Sequence, residues 1–132
     1  MLSEAIQQRI MPILTDNDVD VAYYVTPLPS GVVTAARGGL ALLFAPKIAP
    51  ADRYDRCQRL RFSLMGVLPS GHTEMIALND ARVSLASALV STGAMIRSIN
   101  EPERLRFETS VLSAQLDFDA TMQRILGARL PG

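Results

Sequence analysis

Residues 72–92 read HTEMIALNDARVSLASALVST and carry the most regular apolar pattern in the chain. Ser70 or Thr73 can cap the start of a helix, and Gly93 stands where a glycine commonly ends one. The stretch therefore predicts one long helix over 72–92. Its main apolar stripe at helical spacing consists of Met75, Leu78, Ala81, Leu85, Ala88 and Leu89.

A second apolar stripe lies almost opposite the first on this predicted helix. It consists of Ile76, Val83 and Val90. A helix that packs on one sheet needs only one such stripe. The second stripe could meet the first helix of the same chain or a neighbouring subunit, and the residues leave both possibilities open.

The segment before this helix predicts one helix and three strands. Apolar residues at helical spacing over 2–14, with Ser3 as cap, indicate a first helix that Pro12 kinks or ends. The β-branched and aromatic run 21–26 predicts a strand, and the shorter runs 32–36 and 40–45 predict two more. Residues 46–55 are expected to form a loop.

Two further segments alternate between apolar and polar residues, which is typical of half-buried strands. The first begins at Gln58 and runs to Leu68, and the second covers 104–122 with a reversal of phase at Val111 and Leu112 that predicts a β-bulge. Residues 124–130 could form a short helical turn or a tail. The prediction is a single α+β domain over 1–132, with two main helices on a mainly antiparallel sheet in the order α-β-β-β-α-β.

The composition limits the classes of function. Of the 132 residues, 48% are hydrophobic, and the 13 basic and 13 acidic residues cancel, so no basic field favours nucleic acid. The longest apolar run, 40–46, is far shorter than the roughly 20 residues that a membrane helix needs. The N-terminus lacks the pattern of a signal peptide. We expect no membrane, no specific nucleic-acid binding and synthesis in the cytoplasm.

Candidate catalytic residues are isolated in the sequence. His72 is the only histidine and Cys57 the only cysteine, which excludes a zinc cluster built from these types. Arg56 and Arg59 could lower the pKa of Cys57, but a small residue that opens a strand is the favoured interpretation. The sequence predicts no catalytic, cofactor-binding or metal-binding residue, and no enzyme.

Charged residues separate along the two long predicted strands. The outward positions are basic at the starts, and those beyond the predicted bulge are acidic. Opposite charges at two ends could pair between the subunits of a closed ring. A solvated face is the alternative. The candidate inter-subunit contacts are Arg59, Arg61, Ile76, Val83, Val90, Arg104, Arg106, Asp117 and Asp119.

The order of elements resembles that of phage tail terminator proteins. The matching stretches are 2–14, 59–64, 72–92 and 104–122. The resemblance implies a structural virion subunit that forms a ring, usually a hexamer, at the head-proximal end of the tail tube. Its implied partners are copies of itself, the tail tube protein and the head–tail connector protein, with no cofactor. The alternatives are a head–tail connector or completion protein, a small cytoplasmic regulatory or ligand-binding domain, and an enzyme that uses His72 or Cys57.

Overall fold

The computed structural model describes residues 1–129. The α+β class is confirmed, and the predicted order of elements agrees only roughly with the one observed. The elements are α1 (Glu4–Asp16), β1 (Val19–Val25), β2 (Gly39–Phe44), α2 (Pro50–Leu64), β3 (Glu74–Ala77), a 3₁₀ turn (Leu78–Asp80), α3 (Val83–Thr92), β4 (Ala94–Ser98) and α4 (Glu101–Arg129).

The four strands form one mixed sheet in the order β3-β2-β1-β4. β1 runs antiparallel to both β2 and β4, whereas β2 and β3 are parallel. A parallel pair needs a crossover connection, and α2 supplies it. Two of the three pairings are therefore antiparallel, as the sequence predicted for the sheet.

Helices cover both faces of the sheet. One core contains residues of α1 and α2, such as Leu14 and Leu60, and the other contains residues of α3 and α4, such as Leu89 and Val111. Strands covered on both faces read as continuous apolar runs. All six residues of β2 are buried for this reason. The predicted strand 32–36 is instead part of the loop 26–38 that joins β1 to β2.

The prediction of a strand over 58–68 is wrong, because most of it belongs to helix α2. Pro50 occupies the first turn and Asp52 adds a negative charge near the helix N-terminus. Cys57, Leu60 and Leu64 are the buried residues, at helical spacing. The alternation had counted Phe62 as a core residue, although its exposed fraction is 83%.

The predicted helix over 72–92 holds only for its second half. Residues 74–77 form β3, and α3 begins at Val83. Pairing with β2 overrides the helical period in the first half. The Asn79 side chain completes this pairing, since its Oδ1 accepts from the Phe44 N–H at 2.9 Å and its Nδ2 donates to the Phe44 carbonyl at 3.1 Å.

The bulged strand predicted over 104–122 is wrong, because these residues lie within α4. The Asn100 side chain accepts from the Glu103 N–H at the helix start. Arg104 then pairs with Glu101 and Glu108, one turn away on either side, an arrangement typical of a helix. Residues 124–129 continue α4, and Leu130 lies outside the described residues.

Candidate functional site

A cavity of about 530 Å³ opens where β1 ends and β2 begins. We call it the loop cavity, because the loop 26–38 supplies most of its lining. Arg37, at the end of this loop, and His72, just before β3, complete the wall. The chain breakers of 26–38 thus form a wall of a site rather than a strand.

The phenol of Tyr24 and the imidazole of His72 meet at one side of the loop cavity. The Tyr24 hydroxyl contacts His72 Nδ1, and the ring centroids are 5.6 Å apart. Burial raises the pKa of Tyr24. The hydroxyl therefore stays protonated at neutral pH and can donate a hydrogen bond to Nδ1.

The carboxylate of Glu74, at the start of β3, is held from two sides. Arg61 Nη2 lies 3.2 Å from Oε1, and the Thr34 hydroxyl donates to Oε2 at 2.8 Å. Gly39 allows this close assembly, because a Cβ at that position would lie 1.9 Å from the Glu74 carbonyl oxygen. β2 and β3 can approach here only because position 39 lacks a side chain.

Arg37 is anchored by its backbone and leaves its guanidinium at the cavity. Its N–H donates to the Gly71 carbonyl at 2.7 Å. Gly71 adopts a φ of +83°, a left-handed conformation that favours glycine. The Arg37 side chain is exposed, and guanidinium groups bind phosphate oxygens well.

This arrangement suits an anionic ligand with phosphate groups. Arg37 supplies positive charge at the loop cavity, whereas Arg61 and Glu74 do not line it and connect to its wall through the hydrogen bond from Thr34 to Glu74. Within residues 1–129, no group of three His, Cys, Asp or Glu side chains could hold a metal ion. Mg²⁺ is commonly held by one or two carboxylates together with substrate phosphates, so Glu74 could contribute to such a site only with a bound nucleotide.

A second concavity, the edge cleft, lies between α2, β3 and α3 and has a volume of about 710 Å³. Arg61 and Glu74 stand at one end, and Asp80 stands at the other. Arg53 holds Asp80 by two hydrogen bonds of 2.5 and 2.8 Å. Cys57 lines the cleft, but burial raises the pKa of its thiol to about 11, so it is a poor nucleophile at neutral pH.

The nine predicted inter-subunit residues do not form one surface. Ile76 and Val90 pack against the second core, and Val83 is exposed on α3. The separation of charge on one strand does not exist, because its residues lie on a helix. Their role in contacts between subunits stays a prediction. Arg59 and Arg61 lie on α2, while Arg104, Arg106, Asp117 and Asp119 lie on α4.

Helix α4 leaves much apolar surface uncovered. Between residues 101 and 127, Val111 is the one buried residue. The sequence signal for this surface was the repeated spacing of large apolar residues beyond Val111, which we had assigned to a strand. The exposed large apolar side chains of α4 are Leu105, Leu112, Leu116, Phe118, Met122, Ile125 and Leu126.

Comparison with known proteins identifies the fold. No family model and no curated protein match the sequence. The toxin–antitoxin complex MntA-HepT contains a similar chain, with a TM-score of 0.65, 17% identity and coverage of 98% of this chain and 100% of that one. The structure of a tri-AMPylated Shewanella oneidensis HEPN toxin in complex with MNT antitoxin matches with a TM-score of 0.65 and 18% identity, and the match covers 98% of this chain and 100% of that chain. The structure of a toxin–antitoxin with AMP-PNP matches with a TM-score of 0.63 and 19% identity, and the match covers 95% of this chain and 98% of that chain.

These neighbours correct several predictions from the sequence. The resemblance to phage tail terminators is wrong, because the solved structures that share this fold include toxin–antitoxin complexes. The structural virion role, the connector and regulatory alternatives, and the ring, tail-tube and connector partners are contradicted with it. The prediction that the chain is not an enzyme is also contradicted, since one neighbour contains an AMPylated toxin and another contains AMP-PNP.

The location expected from the sequence stays a prediction. Among residues 1–129, none of the helices combines the length and apolar character needed to cross a membrane.

Proposed function

We propose that this chain is the nucleotidyltransferase-like antitoxin of a two-protein toxin–antitoxin pair, and that it uses an adenine nucleotide. The supporting observation is the likeness over whole chains. It extends over 98% of this chain and 100% of the matched chain in the complex of a HEPN toxin with an MNT antitoxin. The reaction class is transfer of the adenylyl group of ATP to a nucleophilic side chain of the partner protein, with pyrophosphate as the leaving group.

The loop cavity is the proposed nucleotide site. Arg37 can neutralise phosphate oxygens, and Arg binds phosphate through two parallel hydrogen bonds. His72 presents Nε2, since its Nδ1 is engaged by Tyr24. Glu74 lies beside this cavity, because Thr34 of the cavity wall donates to its carboxylate, and it would hold Mg²⁺ only together with the nucleotide phosphates.

Titration calorimetry with AMP-PNP and Mg²⁺ tests the nucleotide site. Wild type should bind, and Arg37→Ala should weaken binding about tenfold, because a hydrogen bond to a charged group contributes about 1.5 kcal/mol. Arg59→Ala is the matched control, since Arg59 is exposed on α2 and does not line the loop cavity. Absence of binding, or equal loss in both variants, would contradict this site.

The proposed partner surface is the uncovered apolar side of α4. An amphipathic helix can lie in a groove of another protein. Complete burial of one large apolar side chain contributes about 1.5–3 kcal/mol before the costs of association. Phe118 and Ile125, which lie on the same side of the helix and have exposed fractions of 55% and 42%, could therefore contribute up to two such increments.

Co-expression with the product of an adjacent reading frame tests the pairing. The partner alone should arrest bacterial growth, and this chain should restore growth and co-purify with the partner. Phe118→Asp should abolish co-purification, whereas Phe62→Asp on α2 should not, although Phe62 is 83% exposed. Incubation with ATP labelled at the α-phosphate then tests adenylyl transfer to the partner. If the two proteins neither associate nor affect growth together, the proposal is wrong.

A further inference from the structure

The outer edge of β3 carries unpaired backbone groups. β3 is the last strand of the sheet, and its Glu74 N–H donates to the Gly38 carbonyl of the neighbouring segment. Alternate residues of a parallel pair bond to alternate sides. The N–H and C=O of Met75 and the N–H of Ala77 therefore point away from β2. In the described part of the chain, no loop or turn hydrogen bond reaches these groups.

These groups face the edge cleft between α2 and α3. Tyr54 and Cys57 of α2 form one wall, and Arg82 and Leu85 form the other. A second copy of this chain carries the same walls around its own β3. In a pairing of two copies, the walls of one copy would meet those of the other, whereas an extended segment carries no such walls.

The edge cleft is lined by two basic and two acidic side chains, of which one, Arg82, has no ion pair among the described residues. Glu74 pairs with Arg61, and Asp80 pairs with Arg53. Arg82 is exposed and forms no ion pair with the described residues 1–129. An acidic side chain of an incoming segment could pair with Arg82 without displacing an existing partner.

We propose that the edge cleft binds an extended acidic segment of a partner protein, which adds to the sheet as a fifth strand beside β3. Backbone hydrogen bonds to Met75 and Ala77 would hold the segment, and its alternate side chains would face the two walls. The inference does not depend on the proposed toxin partner or nucleotide, because it rests on β3 and the two walls alone.

Ala77→Pro removes one of these donors without removing a bond of the existing sheet. The φ of Ala77 is −78°, within the range that proline adopts. Its N–H points into the cleft, so β2 loses nothing. Ala77→Ser is the matched control, since it keeps the N–H. Arg82→Glu tests the charge, and Arg82 lies outside the loop cavity.

The probe is a display library of random decapeptides selected on the full chain. Enriched peptides are expected to carry an acidic residue and to bind with micromolar Kd in fluorescence polarisation. Ala77→Pro should weaken them about fivefold, the effect of one hydrogen bond, and Ala77→Ser should not. Arg82→Glu should weaken them about tenfold or more.

A second measurement avoids any variant of the protein. Methylation of successive backbone nitrogens of the best peptide should abolish binding only at alternate positions, because every second N–H of an added strand faces β3. The proposal is overturned if no peptide is enriched, if methylation shows no alternation, or if Ala77→Pro binds like wild type. It is also overturned if AMP-PNP displaces the peptide from Arg37→Ala, since the cleft itself would then be a nucleotide site.

Discussion

Asn79→Ala should destabilise the chain more than its position on a 3₁₀ turn suggests. The Asn79 side chain substitutes for a strand at the end of β2, where it satisfies both the N–H and the carbonyl of Phe44. Phe44 is fully buried, so water cannot replace the lost amide. Removal of the amide leaves both buried groups unpaired, and each unpaired group costs about 1.5 kcal/mol. We expect the free energy of unfolding to fall by about 3 kcal/mol.

Urea unfolding followed by circular dichroism measures this loss. With a slope of about 2 kcal/mol per M, the midpoint should fall by roughly 1.5 M. Asn17→Ala is the control, because that amide donates one hydrogen bond, to the Ile13 carbonyl at 2.9 Å, at the end of α1. It should cost about 1 kcal/mol. Equal losses in the two variants would refute the view that Asn79 completes the sheet.

Three further predictions concern single side chains. Burial and the hydrogen bond to Glu108 raise the pKa of Tyr23 above its ordinary 10.0. The contribution of Tyr23 to the free energy of unfolding is therefore complete below pH 10 and falls as the pH rises above 10. Tyr23→Phe should remove this fall in alkaline unfolding curves. The pKa of Cys57, raised from 9.0 to about 11, leaves about 100-fold less thiolate at pH 8 than in the unfolded chain, so a thiol reagent should label native protein at a correspondingly lower rate. Gly39→Ala would place a Cβ 1.9 Å from the Glu74 carbonyl oxygen and should lower the melting temperature by more than 10 °C, whereas Gly66→Ala, which meets nothing within 4 Å, should change it by less than about 2 °C.

The central part of the sheet could be predicted from the sequence, whereas its edge could not. β1 and β2 are covered on both faces, so apolar composition alone marks them as strands. Residues 74–77 were assigned to a helix because Met75 and Leu78 fit its stripe. These residues form a strand because they pair with β2, where the partner of Met75 is Leu40, 35 positions earlier in the chain. The local spacing of apolar residues carries no information about this distant pairing.

The candidate site was visible only in part. His72 drew attention as the only histidine, but its contact with Tyr24 joins residues 48 positions apart. The Glu74 carboxylate was passed over because it was placed inside a helix. The contacts of Glu74 with Arg61 and Thr34 depend on the turn before β3 and on the loop 26–38. The pattern of a single sequence does not determine the conformation of this turn or of this loop.

One apolar stripe of α4 supports the inference that a partner covers the helix. Phe107 and Val111 pack into the second core, and the same side of the helix continues through Phe118 and Ile125. Those two are nevertheless 55% and 42% exposed. A stripe that is continuous in sequence but covered only in its first half is expected when the remaining cover comes from another molecule. The second half of α4 is therefore where a partner is most needed, and Phe118 is the residue at which its loss should be tested first.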